Sequence, residues 1–324
     1  MTHERPRPVE ARGYARPVRV GYLVQSHRDP EQVARLVRTL KAGSPDAVVH
    51  VSHDVTSSSL DVAALTALPG VLVRPAEGGY GDFSHVRRYL DAVGELVAGG
   101  LAVDWVVNLT GHDYPLRPLA DVEADLVAGG ADGYLEFFPA LDPDGGTWPV
   151  RRARSRYLFR HRRLAALSPA AQRRLRPLQA INRLQPFVRL HVAYGLTVGV
   201  RRRSPFGPGF ELYGGSAYSS LSWNCVAYLR EFCAARPDIV RHYEHALSPE
   251  ESMFQTILVN SGRFTLTGDC RRYFDFRGST LNHPRVLGLD DLPDALASGA
   301  DFARKIEDTA MLDALDAHLA RARK

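Results

Sequence analysis

Residues 18–43, VRVGYLVQSHRDPEQVARLVRTLKAG, decide the fold, because they join a buried strand directly to an amphipathic helix. The apolar run at 18–27 ends in polar residues, as expected for a strand covered on both faces of its sheet. In the following helix the apolar residues recur at helical spacing, at Val33, Leu36, Val37 and Leu40. Asp29 can cap this helix, and Pro30 suits its first turn. The stretch therefore predicts one strand–helix unit of an α/β protein.

Strands and helices continue to alternate after this unit, up to residue 138. The further strands are predicted at 47–54, 71–75, 104–110 and 133–138, and the helices at 83–99 and 119–129. Such alternation is typical of a parallel, doubly wound sheet flanked by helices. Ligands bind to such sheets outside the carboxyl ends of the strands. The polar runs QSH, SHD and TGHD each end a predicted strand, so we expect them to line one crevice.

The composition of the 324 residues is that of an ordinary globular protein, with 45% hydrophobic and 24% charged residues. No apolar run reaches the roughly 18 residues that span a bilayer. Residues 1–17 are basic and rich in proline, which predicts a disordered tail and no secretory signal. We expect 18–324 to form a single domain. It divides into a nucleotide-binding half at 18–140, an Arg-rich insertion at 151–203 and an acceptor-binding, catalytic half at 204–324.

The three cysteines are Cys225, Cys233 and Cys270, an odd number that cannot pair completely. Their spacing is not that of zinc ligands. We interpret them as buried free thiols, which fit a reducing compartment. The expected location is therefore the cytoplasm, with peripheral attachment to the inner face of the cytoplasmic membrane as a further option.

The insertion concentrates positive charge: fifteen arginines and no Asp, Glu or Lys lie between Arg151 and Arg203, in a chain whose net charge is +5. We predict helical pieces here, broken at Pro169, Pro177 and Pro186. A solvated basic face is the simplest interpretation. An anionic membrane surface or a lipid-linked acceptor is the second, because Leu, Ile, Phe and Val are mixed with the arginines. A nucleic-acid partner is not predicted, since the segment has no recognition motif and little aromatic interleaving.

Signatures of several other enzyme classes are missing. The chain has no G-x-x-x-x-G-K-[ST], no G-x-G-x-x-G after a strand, no H-E-x-x-H and no G-x-S-x-G. Its one D-x-D, formed by Asp142 and Asp144, lies in the run DPDGG, which is typical of a turn. The sequence thus indicates neither a divalent-metal site nor another cofactor. Arginine and lysine are expected to neutralise any bound phosphate.

Six short segments, in chain order, resemble the core-2/I-branching β-1,6-N-acetylglucosaminyltransferase and peptide O-xylosyltransferase family. They are GYLVQSHRDPEQVARLVRTL, VHVSHD, TGHDYPL, GGSAYSSLSW, LSPEESMFQTIL and DFARKI, and together they extend over nearly the whole chain. Trp223 stands where the family usually has arginine, and Glu250 replaces its aspartate. The resemblance implies a GT-A-type fold, a UDP-sugar donor, inversion at the anomeric carbon and no requirement for a metal ion.

By this resemblance, Glu251 matches the catalytic base. Independently of it, inverting transfer needs one carboxylate within hydrogen-bond reach of the acceptor hydroxyl. Ser248 and Pro249 indicate a helix start, and a helix dipole would keep Glu251 ionised. Glu250, the adjacent residue, is the alternative candidate for the catalytic base. A purely structural carboxylate at the helix cap is the other interpretation.

Arg285 and Lys305 match the basic pair that the family uses on the diphosphate in place of a metal ion. Cations fixed at this point stabilise the negative charge that the leaving nucleotide gathers. Arginine can bind phosphate in a bidentate manner, whereas lysine acts as a point charge. Arg304 is adjacent to Lys305 and could exchange roles with it. A solvated surface cation is the alternative for each.

The resemblance also implies residues that bind the nucleotide and the sugars. The positions around the base and ribose are His27, Asp54 and Tyr80. The positions for donor-sugar and acceptor hydroxyls are Asp113, Glu136, Arg152 and Ser216, with Arg152 placed by counting back from Arg156. His27 could equally be an ordinary strand-end histidine, and Asp113 could staple its own turn.

These features predict an inverting, metal-independent glycosyltransferase that uses a UDP-sugar donor. The sugar is expected to be N-acetylglucosamine, with xylose as the second choice, and the acceptor a saccharide, lipid-linked or small-molecule hydroxyl. The alternative is a catalytically silent relative that binds anionic membrane or glycan surfaces through 151–203. Such a relative would be expected to have lost Glu251, Arg285 or Lys305. A metal-dependent enzyme using Asp142 and Asp144 is the third interpretation.

Overall fold

The computed structural model of the protein describes residues 18–79, 81–277 and 284–322, and a seven-stranded sheet lies at its centre. The strands are β1 (Val20–Ser26), β2 (Val48–Asp54), β3 (Val71–Ala76), β4 (Trp105–Thr110), β5 (Tyr114–Pro115), β6 (Gly133–Leu135), β7 (Phe138–Pro139), β8 (Phe159–Ala165), β9 (Val188–His191), β10 (Leu196–Arg201), β11 (Tyr213–Gly214), β12 (Ser219–Ser222), β13 (Leu266–Thr267), β14 (Arg272–Phe274) and β15 (Phe302–Arg304). The predicted tail at 1–17 lies outside the described residues.

Helices outside the Arg-rich insertion pack on both faces of this sheet, and the bounds of all the described helices follow. They are α1 (Pro30–Gly43), α2 (Val62–Thr66), α3 (Ser84–Ala98), α4 (Leu119–Ala128), α5 (Val150–Tyr157), α6 (Pro169–Leu175), α7 (Ile181–Leu184), α8 (Trp223–Ala235), α9 (Pro237–Tyr243), α10 (Met253–Ser261), α11 (Leu292–Ala297) and α12 (Thr309–Ala322). Short 3-10 turns occupy Arg176–Ala180, Pro249–Glu251 and Leu289–Asp291. Among the described helices, none has both the length and the apolar character needed to cross a bilayer.

The order of the central sheet is β13-β6-β12-β4-β1-β2-β3, and β4, β1, β2 and β3 run parallel. Alternate side chains of β1 enter two separate cores. Tyr22 packs in one core together with Leu36 of α1, whereas Leu23 lies in the other together with Leu96 of α3. Both faces of the strand are therefore buried, which explains its continuous apolar sequence. The predicted doubly wound, mostly parallel α/β fold is confirmed.

Strand β12 is not indicated by the sequence, in which 211–235 is typical of a glycine-rich turn that leads into one helix. It runs antiparallel between β4 and β6, and α8 begins immediately after it. The sequence SSLS is too short and too polar to give a strand periodicity. It becomes a strand because β4 and β6 both offer unpaired backbone groups, which a buried segment must satisfy.

The Arg-rich insertion also differs, because it is only partly helical. Strands β8, β10 and β9 form an antiparallel sheet in that order, and the helical pieces, α6, the turn after it and α7, lie between β8 and β9. In β8, Phe159 and His161 are buried while Arg160 and Arg162 are exposed, which is the period of a strand with one covered face. The prolines predicted the breaks between the helical pieces. The alternation of buried and exposed residues in β8 was not predicted.

Two helix starts have a different geometry from the one predicted. Asp29 and Ser248 adopt positive φ angles of 52° and 50°, and neither side chain caps its helix. The Asp29 carboxylate accepts a hydrogen bond from His112 instead, and the Ser248 hydroxyl bonds to Tyr194. Such strained backbone persists only where its surroundings fix it. Both residues face the strand ends at which the candidate site lies.

The cysteines are free, as predicted, with Cys225 and Cys270 buried and Cys233 half-buried. Burial raises the pKa of the Cys233 thiol to about 11. The thiol form therefore persists at neutral pH, which disfavours metal binding or nucleophilic chemistry there.

Candidate active site

The polar residues at the ends of β1, β2 and β4 come together, as the sequence predicted. The Ser26 hydroxyl lies 2.8 Å from His53 Nδ1, and His112 Nε2 lies 2.6 Å from the Asp29 carboxylate. The rings of His27 and His112 are 6.3 Å apart. Burial and the charge of Arg28 lower the pKa of His27. The imidazole is therefore available in its neutral form to contact a nucleotide.

Asp54, predicted to bind the nucleotide, closes the turn that follows β2. Its carboxylate accepts hydrogen bonds from the Thr56 amide at 2.9 Å and from the Thr56 hydroxyl at 2.6 Å. Burial raises its pKa, but the hydrogen bonds from Thr56 and Ser57 outweigh burial and lower the pKa overall. A Cβ on Gly78 would lie 2.4 Å from Asp54 Oδ2, so only glycine allows this approach. Tyr80, the other predicted nucleotide ligand, lies outside the described residues.

A buried arginine that the sequence analysis missed lies beneath this region. Arg88 of α3 donates to the Ser52 hydroxyl at 2.8 Å and to the Ser26 carbonyl at 3.1 Å. Burial lowers its pKa to about 10, which still leaves it charged at neutral pH. Because it bridges the ends of β1 and β2, Arg88 supplies a fixed positive charge behind Asp54.

Glu251, the predicted base, is held by arginines of the insertion. Its Oε2 accepts a hydrogen bond from Arg156 and lies 3.7 Å from Arg152. Both guanidinium groups stack over the ring of Trp148, at 5.0 Å for Arg152 and 5.3 Å for Arg156. Among the described residues, Oε1 has no hydrogen-bond partner. One oxygen is thus anchored and the other is available.

The physical reason given for Glu251 from sequence was wrong, although its position agrees with a site role. It ends the 3-10 turn Pro249–Glu251, and α10 begins only at Met253. The helix dipole therefore does not hold its charge; Arg156 does. Arg156 itself is buried, and its ion pair with Glu251 raises its pKa. The sequence does not indicate this contact of Arg156, because no local pattern points to a partner 95 residues away.

A second carboxyl, Glu250, lies beside Glu251 and carries no matching cation. Its Oε2 is buried without a hydrogen-bond partner among the described residues. Burial, together with the neighbouring Glu251 charge, raises the pKa of Glu250 to about 8. The same two causes raise the pKa of Glu136. Glu250 is therefore protonated at neutral pH.

This arrangement predicts a pH dependence of stability that depends on Glu250. Between the ordinary glutamate pKa of 4.5 and the raised value of about 8, the folded state binds a proton that the unfolded state has released. The contribution of Glu250 to the free energy of unfolding is therefore largest below pH 4.5. It is lost as the pH rises to about 8. We expect the free energy of unfolding to fall more steeply between about pH 5 and about pH 8 in the parent protein than in Glu250→Gln. Urea unfolding measures both slopes.

The control for this prediction is Glu231→Gln, which changes an exposed glutamate on α8. It should leave the pH slope unchanged. Equal slopes in Glu250→Gln and the parent protein would mean that Glu250 is ionised in the folded state.

The loop between β11 and β12 fixes the backbone of Glu251. The Gly215 amide donates to the Glu251 carbonyl at 2.9 Å. A Cβ on Gly215 would lie 1.9 Å from the Glu136 carbonyl oxygen, so the second glycine of GGS is required there. The carbonyl of Ser216 accepts from Gln255 at 2.6 Å, and its hydroxyl accepts from the Tyr218 amide. Glu136, Ser216 and Glu251 therefore lie near one another, and their contacts with an acceptor stay a prediction.

Asp113, at the centre of TGHDYPL, is completely buried. Its carboxylate accepts from the Thr110 amide at 2.7 Å and from Arg304 at 3.0 Å. Arg304 also bonds to the Thr110 hydroxyl and stacks on Tyr218, with 5.2 Å to the ring centroid. In the structure, Asp113 closes its own turn and holds Arg304. Its contact with a donor sugar stays a prediction.

Lys305 lies at the strand ends beside a small charged cluster. Its ammonium group is 2.5 Å from Glu307, which also pairs with Arg28. Asp29, His112 and Glu307 bring three ligand atoms within 4.8 Å of one another, a spacing that a metal ion could use. Two cations already neutralise Glu307, which makes the cluster a poor match for a divalent ion.

Arg285 has a different environment from Lys305. It donates to Asp275 at 2.6 Å and to Asp291 at 2.9 Å. Arg277 and Arg285 together lower the pKa of Asp275. Since two carboxylates occupy the guanidinium group, a diphosphate would have to replace one of them. The predicted role of Arg285 on the diphosphate stays a prediction, and the segment just before it, 278–283, lies outside the described residues.

The carboxylate and cation groups lie along the same edge of the sheet. Asp82 interacts electrostatically with Glu250 on one side and with His85 on the other. Burial, with the charges of Arg88 and Arg304, lowers the pKa of His85 to about 4. Asp82 and His85 thus connect Glu250 electrostatically with Arg304.

No protein-family model matches the chain. Among curated proteins, it is similar to two from Arabidopsis thaliana. It is 26% identical to beta-glucuronosyltransferase GlcAT14B, over 93% of this chain and 66% of that protein. It is 26% identical to beta-glucuronosyltransferase GlcAT14A, over 72% of this chain and 46% of that protein. The chain thus spans about two thirds and about half of the lengths of these relatives, both of which are glycosyltransferases by name.

Two solved structures show a partial likeness. One is a cytidylyltransferase from Leptospira borgpetersenii, with a TM-score of 0.25 and 25% identity over 37% of this chain and 52% of that one. The other is a nucleoside-diphosphate-sugar pyrophosphorylase from Vibrio cholerae, with a TM-score of 0.34 and 12% identity over 76% of this chain and 89% of that one. Similarities this low carry no argument about function.

Proposed function

We propose that the protein is an inverting glycosyltransferase that moves a sugar from a UDP-sugar to an acceptor hydroxyl, with Glu251 as the general base. The observation that carries this is the Glu251 carboxylate itself. Arg156 and Arg152 fix one oxygen, the other is unpaired among the described residues, and the adjacent Glu250 holds its own proton. The names of the two plant relatives support a glycosyltransferase independently of this geometry.

The chemical step follows from this arrangement. The acceptor oxygen attacks the anomeric carbon and forms the new C–O bond, while its proton passes to Glu251 Oε1. The bond from the anomeric carbon to the phosphate oxygen breaks on the opposite side, and UDP leaves with the electron pair. Lys305 and Arg304 supply positive charge for the leaving diphosphate. The configuration at the anomeric carbon is inverted by this single displacement.

Three donor sugars are to be compared. The motif resemblance favours N-acetylglucosamine, then xylose, whereas the relatives' names add glucuronic acid. The proposed enzyme is tested by measuring UDP release from UDP-N-acetylglucosamine, UDP-xylose and UDP-glucuronic acid, each with and without EDTA. Turnover of one donor that persists in EDTA is the expected result. Activity that requires added Mn²⁺ would contradict the metal-independent mechanism and redirect attention to Asp29, His112 and Glu307.

Lys305 and Arg285, the pair that the motif resemblance assigns to the diphosphate, should contribute unequally to UDP binding. Lys305→Ala is expected to weaken UDP binding by about 10- to 100-fold, the usual loss for one hydrogen bond to a charged group. Arg285→Ala should weaken it less, because Asp275 and Asp291 already occupy that guanidinium group. Isothermal calorimetry with UDP gives both affinities, and Arg321→Ala, on the exposed end of α12, is the matched control. Unchanged affinity in both site variants would remove them from the diphosphate site.

A further inference from the structure

The Arg-rich insertion forms a surface in which large apolar side chains are exposed beside arginines. We call it the basic–apolar surface and define it as residues 160–201. Its exposed apolar residues are Leu164, Leu178, Ile181, Leu184, Phe187, Val188 and Val200. Leu184 is 83% exposed and Phe187 is 66% exposed. Exposed apolar side chains grouped in this way mark an interaction site rather than ordinary surface.

The strands of this surface place apolar and basic residues on the same side. Val200 of β10 pairs with Arg160 of β8 on one flank and with Val188 of β9 on the other. Cross-strand partners point to the same face of a sheet, so these three side chains lie together. All three are exposed. The face therefore carries its apolar residues within a row of positive charge.

Several arginines of this surface have no acidic counter-charge in the part of the chain that the structure describes. Arg173, Arg174, Arg176 and Arg183 are exposed and have no carboxylate partner among the described residues. The segment contains no Asp, Glu or Lys. Its charge is thus complementary to an anionic surface. A purely solvated basic face would account for the arginines but not for Leu184 and Phe187.

The same segment reaches the candidate active site. Arg152 and Arg156, just before the surface, hold Glu251, and Tyr194, between β9 and β10, accepts a hydrogen bond from Arg156 at 2.9 Å. Arg163 of β8 lies 3.4 Å from Asp82, near Glu250. The surface is therefore connected through its own segment to the proposed catalytic carboxylate of Glu251.

We propose that the basic–apolar surface docks on an anionic lipid bilayer and so brings the site to acceptors held at the membrane. Leu178, Ile181, Leu184 and Phe187 enter the interface between head groups and acyl chains, and the arginines pair with lipid phosphates. Combined apolar burial and electrostatic attraction is how interfacial segments bind such membranes. A polyanion such as nucleic acid would use the arginines alone and leave the apolar side chains in water.

The test is co-sedimentation of the full chain with vesicles of phosphatidylcholine, alone or with about one third phosphatidylglycerol. Binding to the anionic vesicles is expected, with a much weaker affinity for the neutral ones and a decline as salt rises. Leu184→Ser/Phe187→Ser should lower the affinity at least about 10-fold. Arg173→Gln/Arg174→Gln/Arg176→Gln should lower it on the order of 100-fold. No sugar donor is present, so the result does not depend on the proposed enzymatic activity.

Matched controls separate this surface from general effects. Arg38→Gln/Arg230→Gln/Arg321→Gln removes the same charge from exposed positions elsewhere, and Val62→Ser/Val97→Ser removes exposed apolar side chains from α2 and α3. Both should bind like the parent protein. Failure to bind anionic vesicles, or equal binding to neutral ones, would overturn the proposal. Loss on arginine replacement with full binding by Leu184→Ser/Phe187→Ser would also overturn it and indicate a polyanion instead.

Discussion

Glutamine in place of Glu251 is expected to lower turnover by about 10²- to 10⁴-fold, the usual contribution of a general base. Glutamine keeps the shape of the side chain and can still contact Arg156, but it cannot take the acceptor proton. UDP affinity should stay close to that of the parent protein, since the base does not contact the diphosphate in the proposed geometry. Turnover is followed by UDP release with the donor that the parent protein uses, and affinity by calorimetry.

The control for this variant is Glu231→Gln, whose side chain is exposed on α8 and far along the chain from the site. Thermal unfolding establishes that both variants are folded. Normal turnover in Glu251→Gln would exclude Glu251 as the general base. The same variant of Glu250 should then be measured, because Glu250 is the adjacent carboxyl.

The largest effect on stability is expected at the buried pair of Asp113 and Arg304. Arg304→Ala leaves a carboxylate with no exposure and without its cation, and removing one partner of a buried ion pair typically lowers the free energy of unfolding by about 3–5 kcal/mol. Asp113→Ala should have a similar cost, because it also removes the acceptor of the Thr110 amide. Urea unfolding with an unchanged m-value gives both numbers.

The double variant Asp113→Ala/Arg304→Ala distinguishes the pair from two independent effects. Its loss should be clearly smaller than the sum of the two single losses, since the second change removes a charge that the first had left unpaired. Asp91→Ala, at an exposed position of α3, should change stability by no more than about 0.5 kcal/mol. Strict additivity would show that Asp113 and Arg304 act separately.

The half of the fold at 18–140 could be predicted from sequence because its hydrophobic pattern is local. Val33, Leu36 and Leu40 mark one face of α1 without any knowledge of the rest of the chain. Strand β12 could not be predicted in this way, because its four residues acquire their conformation from β4 and β6. The same holds for β8, in which arginines conceal an ordinary strand alternation.

In the candidate site, too, some residues can be recognised from their neighbours in the sequence, whereas others depend on partners far away in the chain. Motifs alone predicted Glu251, Lys305 and His27 as site residues, and their roles stay predictions. Arg156 and Arg88 were missed as functional residues, because their partners lie far away in the sequence. The expected helix dipole at Glu251 failed for a backbone reason: Ser248 takes a positive φ, and the turn after it does not continue into α10.

The most direct test of the proposed mechanism is an experimental structure with UDP bound. The proposal predicts a β-phosphate oxygen about 3 Å from the Lys305 ammonium group, with Arg304 alongside. Glu251 Oε1 should face the space in which the sugar and acceptor would meet. UDP bound away from Lys305 and Arg304, or a Glu251 carboxylate sealed off from the bound nucleotide by Arg152 and Arg156, would contradict it.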